Sequence, residues 1–571
     1  MSSTISSDLN SKMNVVASVK TYITKMTEDS GPGMKVLLLD KQTTSIVSVV
    51  YSQSEMLQKE VYLFERIDSG TPQESVKYLK CIVFMRPTKE NISLLASELK
   101  FPRYSSYYIY LSNIISKADI KYLAESDEQE VVKEIQEYYA DYLAVSPHLF
   151  SFGIPYIYKD LNWNSNHLER TIQGITSVLL SLKKYPIIRY YGRSQAAKRL
   201  SEGIRNVLTK ESSLFSFGSQ ETYPILLVLD RKEDPVTPLL NQWTYQAMVH
   251  ELLTITNDRV SLTKNPEKSE EVLSPEQDNF YASNLYKNFG EIGQKLKELM
   301  DEYQKQVKSH QKVETIADMK NVVQNYPQIR KKFGTVLKHV NVVEELSELV
   351  SKYSLMDVSE LEQEIVIQDE HSQQLERIKS LISNPSVREI DAVRLVLLYA
   401  LRYKRHPKND LNGLEIALKR KGVSDRFLDM IGRVTSYADD VKQEVFGQGI
   451  TVEKITKRFF DLKGVENAFT RHTPLLKETL EELIKGKLKE NIYPYLNGTK
   501  SQIGIKARDI IVFIVGGVTY AESLAVHQLN RSNKNISIVL GGTTIHNTMS
   551  FLTEVEAATE GSSWNTRRRH L

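Results

Sequence analysis

One cysteine in 571 residues, Cys81, excludes an internal disulfide and a cysteine-based zinc site, and fits a chain kept in a reducing compartment. Its setting, KCIVFM, reads as a small buried strand residue rather than a reactive thiol. Neither sign of charge dominates. Lys plus Arg number 74 against 71 Asp plus Glu, a formal net charge of +3, which is far from the basic footprint of a nucleic-acid binder. No apolar run approaches the ~18 residues needed to cross a bilayer, and the N-terminus lacks an uninterrupted apolar signal core. The expectation is a soluble chain with only a peripheral membrane role.

The usual signatures of catalysis are also missing. KVLLLDKQTT ends a strand-like run without a glycine-rich phosphate loop, and no GxSxG elbow occurs. HELLT opens with His250 and Glu251 but has Thr254 where a zinc-binding helix needs its second histidine. The double glycines at 516–517 and 541–542 fit neither GxGxxG nor GxxxxGK[ST], and tight strand-to-helix turns account for them on backbone grounds alone. His371 in QDEHSQQ falls in a polar helical pattern and reads as solvated, while the terminal TRRRHL reads as a solvated cationic tail. No cofactor or metal is expected, and a nucleotide- or phosphate-using α/β enzyme at the double glycines is the alternative from another class.

What is present is a long, ordinary globular composition, 41% hydrophobic and 25% charged, whose length implies three or four domains. Residues 9–26 make a modest helix ended by SGPG. KVLLLD (35–40), VYLFERI (61–67), CIVFMRP (81–87) and YYIYL (107–111) then alternate with helical patterns at about 43–58, 88–99 and 116–125, the rhythm of a parallel sheet. A second such unit begins near 147, with helical residues 167–183, YPIIRYY at 185–191 and the run 225–230. Its missing strands appear far downstream, in DIIVFIVGG (509–517) and ISIVLGG (536–542). The chain therefore leaves this domain and returns to it. Between lie charged helical patterns at 280–308, 313–325, 328–353, 359–383 and 389–403, punctuated by Pro327, Pro385 and Pro407, with 264–278 a charged loop.

The stretch that joins these parts is VLDRKEDPVTPLLNQWTYQAMVHELL, residues 228–253. A buried strand stops at Asp230, Pro235 and Pro238 make an elbow, and Thr237 is placed to cap the helix that Pro238 starts. Tyr245, Met248, Val249 and Leu252 then form an apolar stripe, with Gln246, His250 and Glu251 off it. LDRKEDPVTPLLNQWTYQAMVHELL resembles the diagnostic segment of the SM family, the syntaxin-binding regulators of SNARE-driven membrane fusion, and NQWTYQAMVHELL is similar to its endosomal branch. IVLGGTTIHNTMSFL and LKENIYPYL extend the likeness over nearly the whole chain.

That resemblance implies an arch of three domains: an α/β domain over 1–146, a second α/β domain split between 147–250 and 488–571, and a mainly helical domain inserted at 251–487. It implies a binding protein rather than an enzyme, peripheral to endosome and trans-Golgi membranes. The implied partners are a Qa-SNARE of the syntaxin-sixteen type, the vesicle-side SNARE, the assembled SNARE complex and a Rab-effector tether. SKADIKYLAESDEQEVVKEIQEYY is similar to the segment that receives a syntaxin N-terminal peptide, which places the pocket on Ile120, Ile135 and Glu137. On the residues alone, Ile120 and Ile135 have two open placements, surface pocket or core. VETIADMKNVVQNYPQIRKKFGTVLKHVNVVEELSELV resembles the helical hairpin that templates SNARE motifs, with Pro327 at a bend and Val340 at a contact position. A vesicle tether without SNARE specificity is the further alternative.

Overall fold

The computed structural model describes residues 12–70, 75–159, 162–218, 222–263, 270–311, 316–438, 471–498 and 507–561, with only the backbone described in the helical stretches 306–311 and 316–329. The TRRRHL tail and residues 264–269 of the charged loop lie outside them. The chain forms two compact units. One comprises Met1–Arg231, Leu476–Val518 and Ala525–Ile545, the other Lys232–Leu475, Thr519–Leu524 and His546–Leu571. The first division falls inside the 228–253 elbow.

In the first unit, α1 (Val15–Asp29) precedes β1 (Lys35–Leu39), α2 (Lys41–Val50), α3 (Gln53–Gln58), β2 (Val61–Arg66), β3 (Lys80–Met85), α4 (Lys89–Lys100), β4 (Ser106–Leu111), α5 (Lys117–Ser126) and β5 (Val132–Glu137). The five strands lie in the order β2-β1-β3-β4-β5, all parallel. Runs such as KCIVFM are buried along nearly their whole length because helices cover both faces of a parallel sheet. Cys81 sits there fully buried, its thiol pushed well up by desolvation. Val36, Val83, Ile109 and Leu111 form one core with Leu95, Leu99 and Leu123 from the helices. The fifth strand, VKEIQE, is absent from the sequence reading because an edge strand with one covered face needs few apolar residues.

The second sheet of this unit has six strands in the order 187–190, 225–230, 509–515, 537–542, 149–151 and 143–146. Ile225–Asp230 pairs in parallel register with Ile510–Val515, so the downstream runs do supply its missing neighbours. Here the double glycines have mechanical reasons. Gly516 and Gly517 adopt φ of 84° and 91°, conformations that L side chains rarely take. A Cβ on Gly541 would come within 2.0 Å of the Phe150 ring.

In the second unit the elbow departs from expectation. Thr237 does not cap the helix: its hydroxyl donates to Asp234 Oδ2 at 2.6 Å, Thr237–Leu239 is a single 3-10 turn, and the helix begins at Tyr245. Asp234, freed from helical geometry by the proline that follows it, also accepts from the Val236 and Thr237 amides. Gln246 and His250, expected off the stripe, are buried with it. The patterns at 280–308 and 359–383 each resolve into two helices, Asn279–Asn284 with Phe289–Gln311 and Leu355–Ile367 with His371–Ser383. His371 is buried rather than solvated: its Nε2 lies 2.9 Å from the Tyr399 hydroxyl, and its ring stacks 4.0 Å from His406.

The helix Glu389–Tyr403 is buried on almost every side and carries Arg394 into the middle of this unit. That guanidinium, with no solvent exposure, meets Glu362 at 2.7 Å, Glu251 at 2.9 Å and Asp391 at 3.0 Å. It also donates to Asn241 Oδ1 at 3.0 Å and Thr548 Oγ1 at 3.2 Å. Glu251, the acid of HELLT, is thus an ion-pair partner that also accepts from the Thr548 amide.

Candidate functional surfaces

The first candidate surface lies at the β5 edge of the five-stranded sheet. Ser116 caps α5, accepting from the Asp119 amide at 3.1 Å, and Leu123 seats the helix on the sheet beside Ile109 and Leu111. Along β5 the register slips by one residue between Tyr107 and Tyr108, after which Ile109 faces Ile135 and Leu111 faces Glu137. The slip sets parity. Side chains opposite one another in a parallel pair share a face, so Ile135 and Glu137 stand on the side that α5 covers.

Burial bears on the core placement left open for the isoleucines. Ile120 is 39% exposed and Ile135 is 38% exposed, so neither is core. Glu137 is already engaged. One of its oxygens accepts from the Ile115 amide at 2.8 Å and the other from the Tyr139 hydroxyl at 2.7 Å, with burial and then this carboxylate pushing the Tyr139 phenol up. Each oxygen keeps a second lone pair for a basic guest.

The second candidate surface, in the other unit, is the helix pair Phe289–Gln311 and Ile316–Lys352. The helix does not end at Pro327: one helix of 37 residues replaces the two expected over 313–325 and 328–353. An interior proline costs about 3 kcal/mol, and packing beyond it offsets that cost. Lys332 pairs with Glu302 at 2.7 Å, Phe333 lies 5.5 Å from Tyr303, and Val342 and Leu346 join Ile292 and Leu296 in the core. The side chain of Pro327 lies outside the described residues.

Val340 is partly buried against that same core. Phe333 and Leu337, one turn apart and 47 and 48% exposed, are the more open apolar positions among the described side chains of this helix, and the sequence reading missed them. The spacing of FGTVLKHV, with apolar residues at i, i+4 and i+7, was the available signal. His339, between them and the core, is fully buried and bridges the Tyr245 hydroxyl at 2.7 Å and Asp278 at 3.0 Å. Burial pushes its imidazole down despite the carboxylate. Burial alone would raise Asp278, but hydrogen bonds from His339 and Lys338 outweigh it and hold that carboxyl well below the usual range. The outward face is thus held on a rigid polar clamp.

A model described as the Sec1 family matches residues 35–554. The chain belongs to the Sec1 family. It is 56% identical over 556 residues to the vacuolar protein sorting-associated protein 45 of Rattus norvegicus, covering 96% of each chain. To the protein of the same name from Dictyostelium discoideum it is 42% identical, covering 96% of this chain and 97% of the relative. A solved structure of SM protein Vps45 in complex with the Qa SNARE Tlg2 (1-310) superposes with a TM-score of 0.88 at 42% identity, covering 96% of this chain and 98% of that one. The fold is the SM fold of the Sec1 family, in which parallel-sheet α/β elements are combined with a large helical portion.

Proposed function

We propose that this chain is an SM-type regulator of SNARE-mediated vesicle fusion in endosomal, trans-Golgi and vacuolar sorting, and that it acts by binding rather than catalysis. It captures the N-terminal peptide of a Qa-SNARE of the syntaxin-sixteen type at Ile120, Ile135 and Glu137, the isoleucines taking an apolar anchor and the carboxylate a basic residue. The helix Ile316–Lys352 offers Phe333, Leu337 and Val340 to a vesicle-side SNARE, with Pro327 part of the same element. Holding two SNARE helices in register lowers the ordering cost of nucleating the assembled complex, in which a Rab-effector tether also takes part. The chain works from the cytosolic face of endosome and trans-Golgi membranes.

The observation that carries this reading is the solvent exposure of Ile120 on α5 and of Ile135 on the edge strand β5, in a chain 42% identical to the Vps45 of a Qa-SNARE complex. Calorimetric titration of the full chain with synthetic N-terminal peptides from several cytosolic Qa-SNAREs tests it. Saturable binding of the syntaxin-sixteen type peptide in preference to the others is expected. Equal heats from every peptide, scrambled sequences included, would refute the assignment.

A further inference from the structure

At the end of the five-stranded sheet where its strands begin, the segments entering β2, β1, β3 and β4, the first of them the last turn of α3, each hold a large apolar side chain in solvent among the described residues. These are Leu57, Met34, Tyr78 and Phe101, exposed by 49, 51, 77 and 81%. Entries into parallel strands share one rim, so the four residues follow the strand order across it.

Their exposure is not slack. Phe101 stands between buried Leu99 and Pro102, and Arg103 beside it is fixed by Glu98 at 2.8 Å and Glu65 at 3.1 Å, while the Tyr107 hydroxyl accepts from its amide. Val76 donates to the Arg103 carbonyl at 2.9 Å, tying the Tyr78 loop to the Phe101 loop. Lys80 Nζ donates to the carbonyls of Ser30 and Pro32, both at 2.9 Å, which fixes the turn before Met34. The acids nearest the Met34 and Phe101 entries are occupied: Glu60 binds Lys35 Nζ and the Gly33 amide, and Glu98 binds Arg103, which also reaches Glu65. Lys77 and Lys100 are exposed beside Tyr78 and Phe101 and form no ion pair among the described residues. Glu28 is exposed at the end of α1, and Glu128 and Glu130 are exposed farther along the rim in the loop entering β5, past Phe101.

Rigidly presented aromatic rings on separate loops, each flanked by lysine, match the requirements of a membrane interface. There an amphipathic or apolar ring seats between headgroups and acyl chains while ammonium groups meet anionic lipid. We propose that this rim docks the chain on an anionic membrane surface, with Phe101 and Tyr78 inserted at the headgroup boundary and Lys77 and Lys100 against the headgroups. The rim shares no residue with the SNARE-binding surfaces, so it stands or falls without them.

The test is co-sedimentation of the full chain with phosphatidylcholine vesicles, with and without phosphatidylserine, at low and high salt. All variants carry Arg567, Arg568 and Arg569 changed to Ala, so that the basic tail does not contribute. Binding only to the anionic vesicles, weakened by salt, is expected. Tyr78→Ser with Phe101→Ser should lower the partition roughly tenfold per ring, the factor for ~60 Å2 of apolar area returned to water. Lys77→Gln with Lys100→Gln should lower it roughly fivefold per lysine. Phe101→Trp should keep it, and all variants should melt like the parent. Failure of the tail-substituted parent to bind anionic vesicles, or rim variants that bind as it does, would overturn the proposal. So would rim variants that keep vesicle binding but lose SNARE-complex binding, which would mark a protein-docking surface.

Discussion

Replacing Arg394 by Met gives the sharpest test of how the helical unit is held together. The guanidinium is the cation shared by three carboxylates, Glu251, Glu362 and Asp391, with Asp391 paired to Arg388 as well. Burial pushes Glu362 up to about 7 and raises Glu251, even with Arg394 opposing both. Removing the cation leaves those acids buried without it, a loss of about 3–5 kcal/mol, or roughly 6–20 °C in melting temperature for a unit of this size. The pH dependence fixes the cause. A carboxyl whose folded value lies above its unfolded value of ~4.3 binds extra protons in the native state, so its contribution to stability falls as pH rises from ~4.3 through about 7. Without Arg394 the folded values of Glu362 and Glu251 climb further and the same loss extends to higher pH. Calorimetric scans should therefore show a deficit for Arg394→Met that is small at pH 5 and large at pH 8, and that Glu362→Gln partly relieves. A deficit equal at both pH values would refute this electrostatic account and leave only lost packing.

The binding surfaces give three further expectations. Ile120→Arg should abolish N-peptide binding in calorimetry with the melting temperature changed by less than about 2 °C, because a residue 39% exposed leaves no core to disrupt; a fall in melting temperature instead would place Ile120 in the core. Phe333→Asp with Leu337→Asp should weaken vesicle-side SNARE binding in a pull-down by at least roughly tenfold while N-peptide affinity stays unchanged, and an unaltered pull-down would remove this face from the template. Pro327→Ala should raise the stability of the long helix by up to about 3 kcal/mol, visible as slower amide exchange across 316–340. It should also speed SNARE assembly in liposome fusion, and slower assembly would count against the role given to this helix.

Much of the architecture was legible in the sequence because buried parallel strands have little freedom of composition: VLLL, CIVFM and IIVFIV permit no other reading. The strand VKEIQE escaped because its edge position demands so little apolar content, yet it carries both Ile135 and Glu137. Local rules failed where tertiary partners won. Thr237 has the right identity for a cap, but Asp234 three residues earlier captures its hydroxyl. Pro327 reads as a break, but contacts beyond it, at Lys332 and Phe333, keep the helix whole. His371 looks solvated among Gln and Ser, and no local pattern announces that Tyr399 and His406 enclose it. The residues proposed for the peptide pocket were assignable only through likeness to a family. Two isoleucines and a glutamate have no signature of their own, and the register slip in β5 that turns two of them to one face is invisible in the sequence.

The pairing of 225–230 with 510–515 has a consequence for synthesis. On the ribosome the five-stranded sheet has all its strands once residue 137 has emerged, whereas Asp230 must wait for Val515. At ~5–20 residues per second that interval is roughly 15–60 s. Throughout it the nascent chain carries an unpaired apolar strand edge, the kind that recruits neighbouring chains. Production of this protein should therefore depend on chaperone supply more than its final stability suggests, and slowing translation within 251–508 should worsen aggregation rather than relieve it.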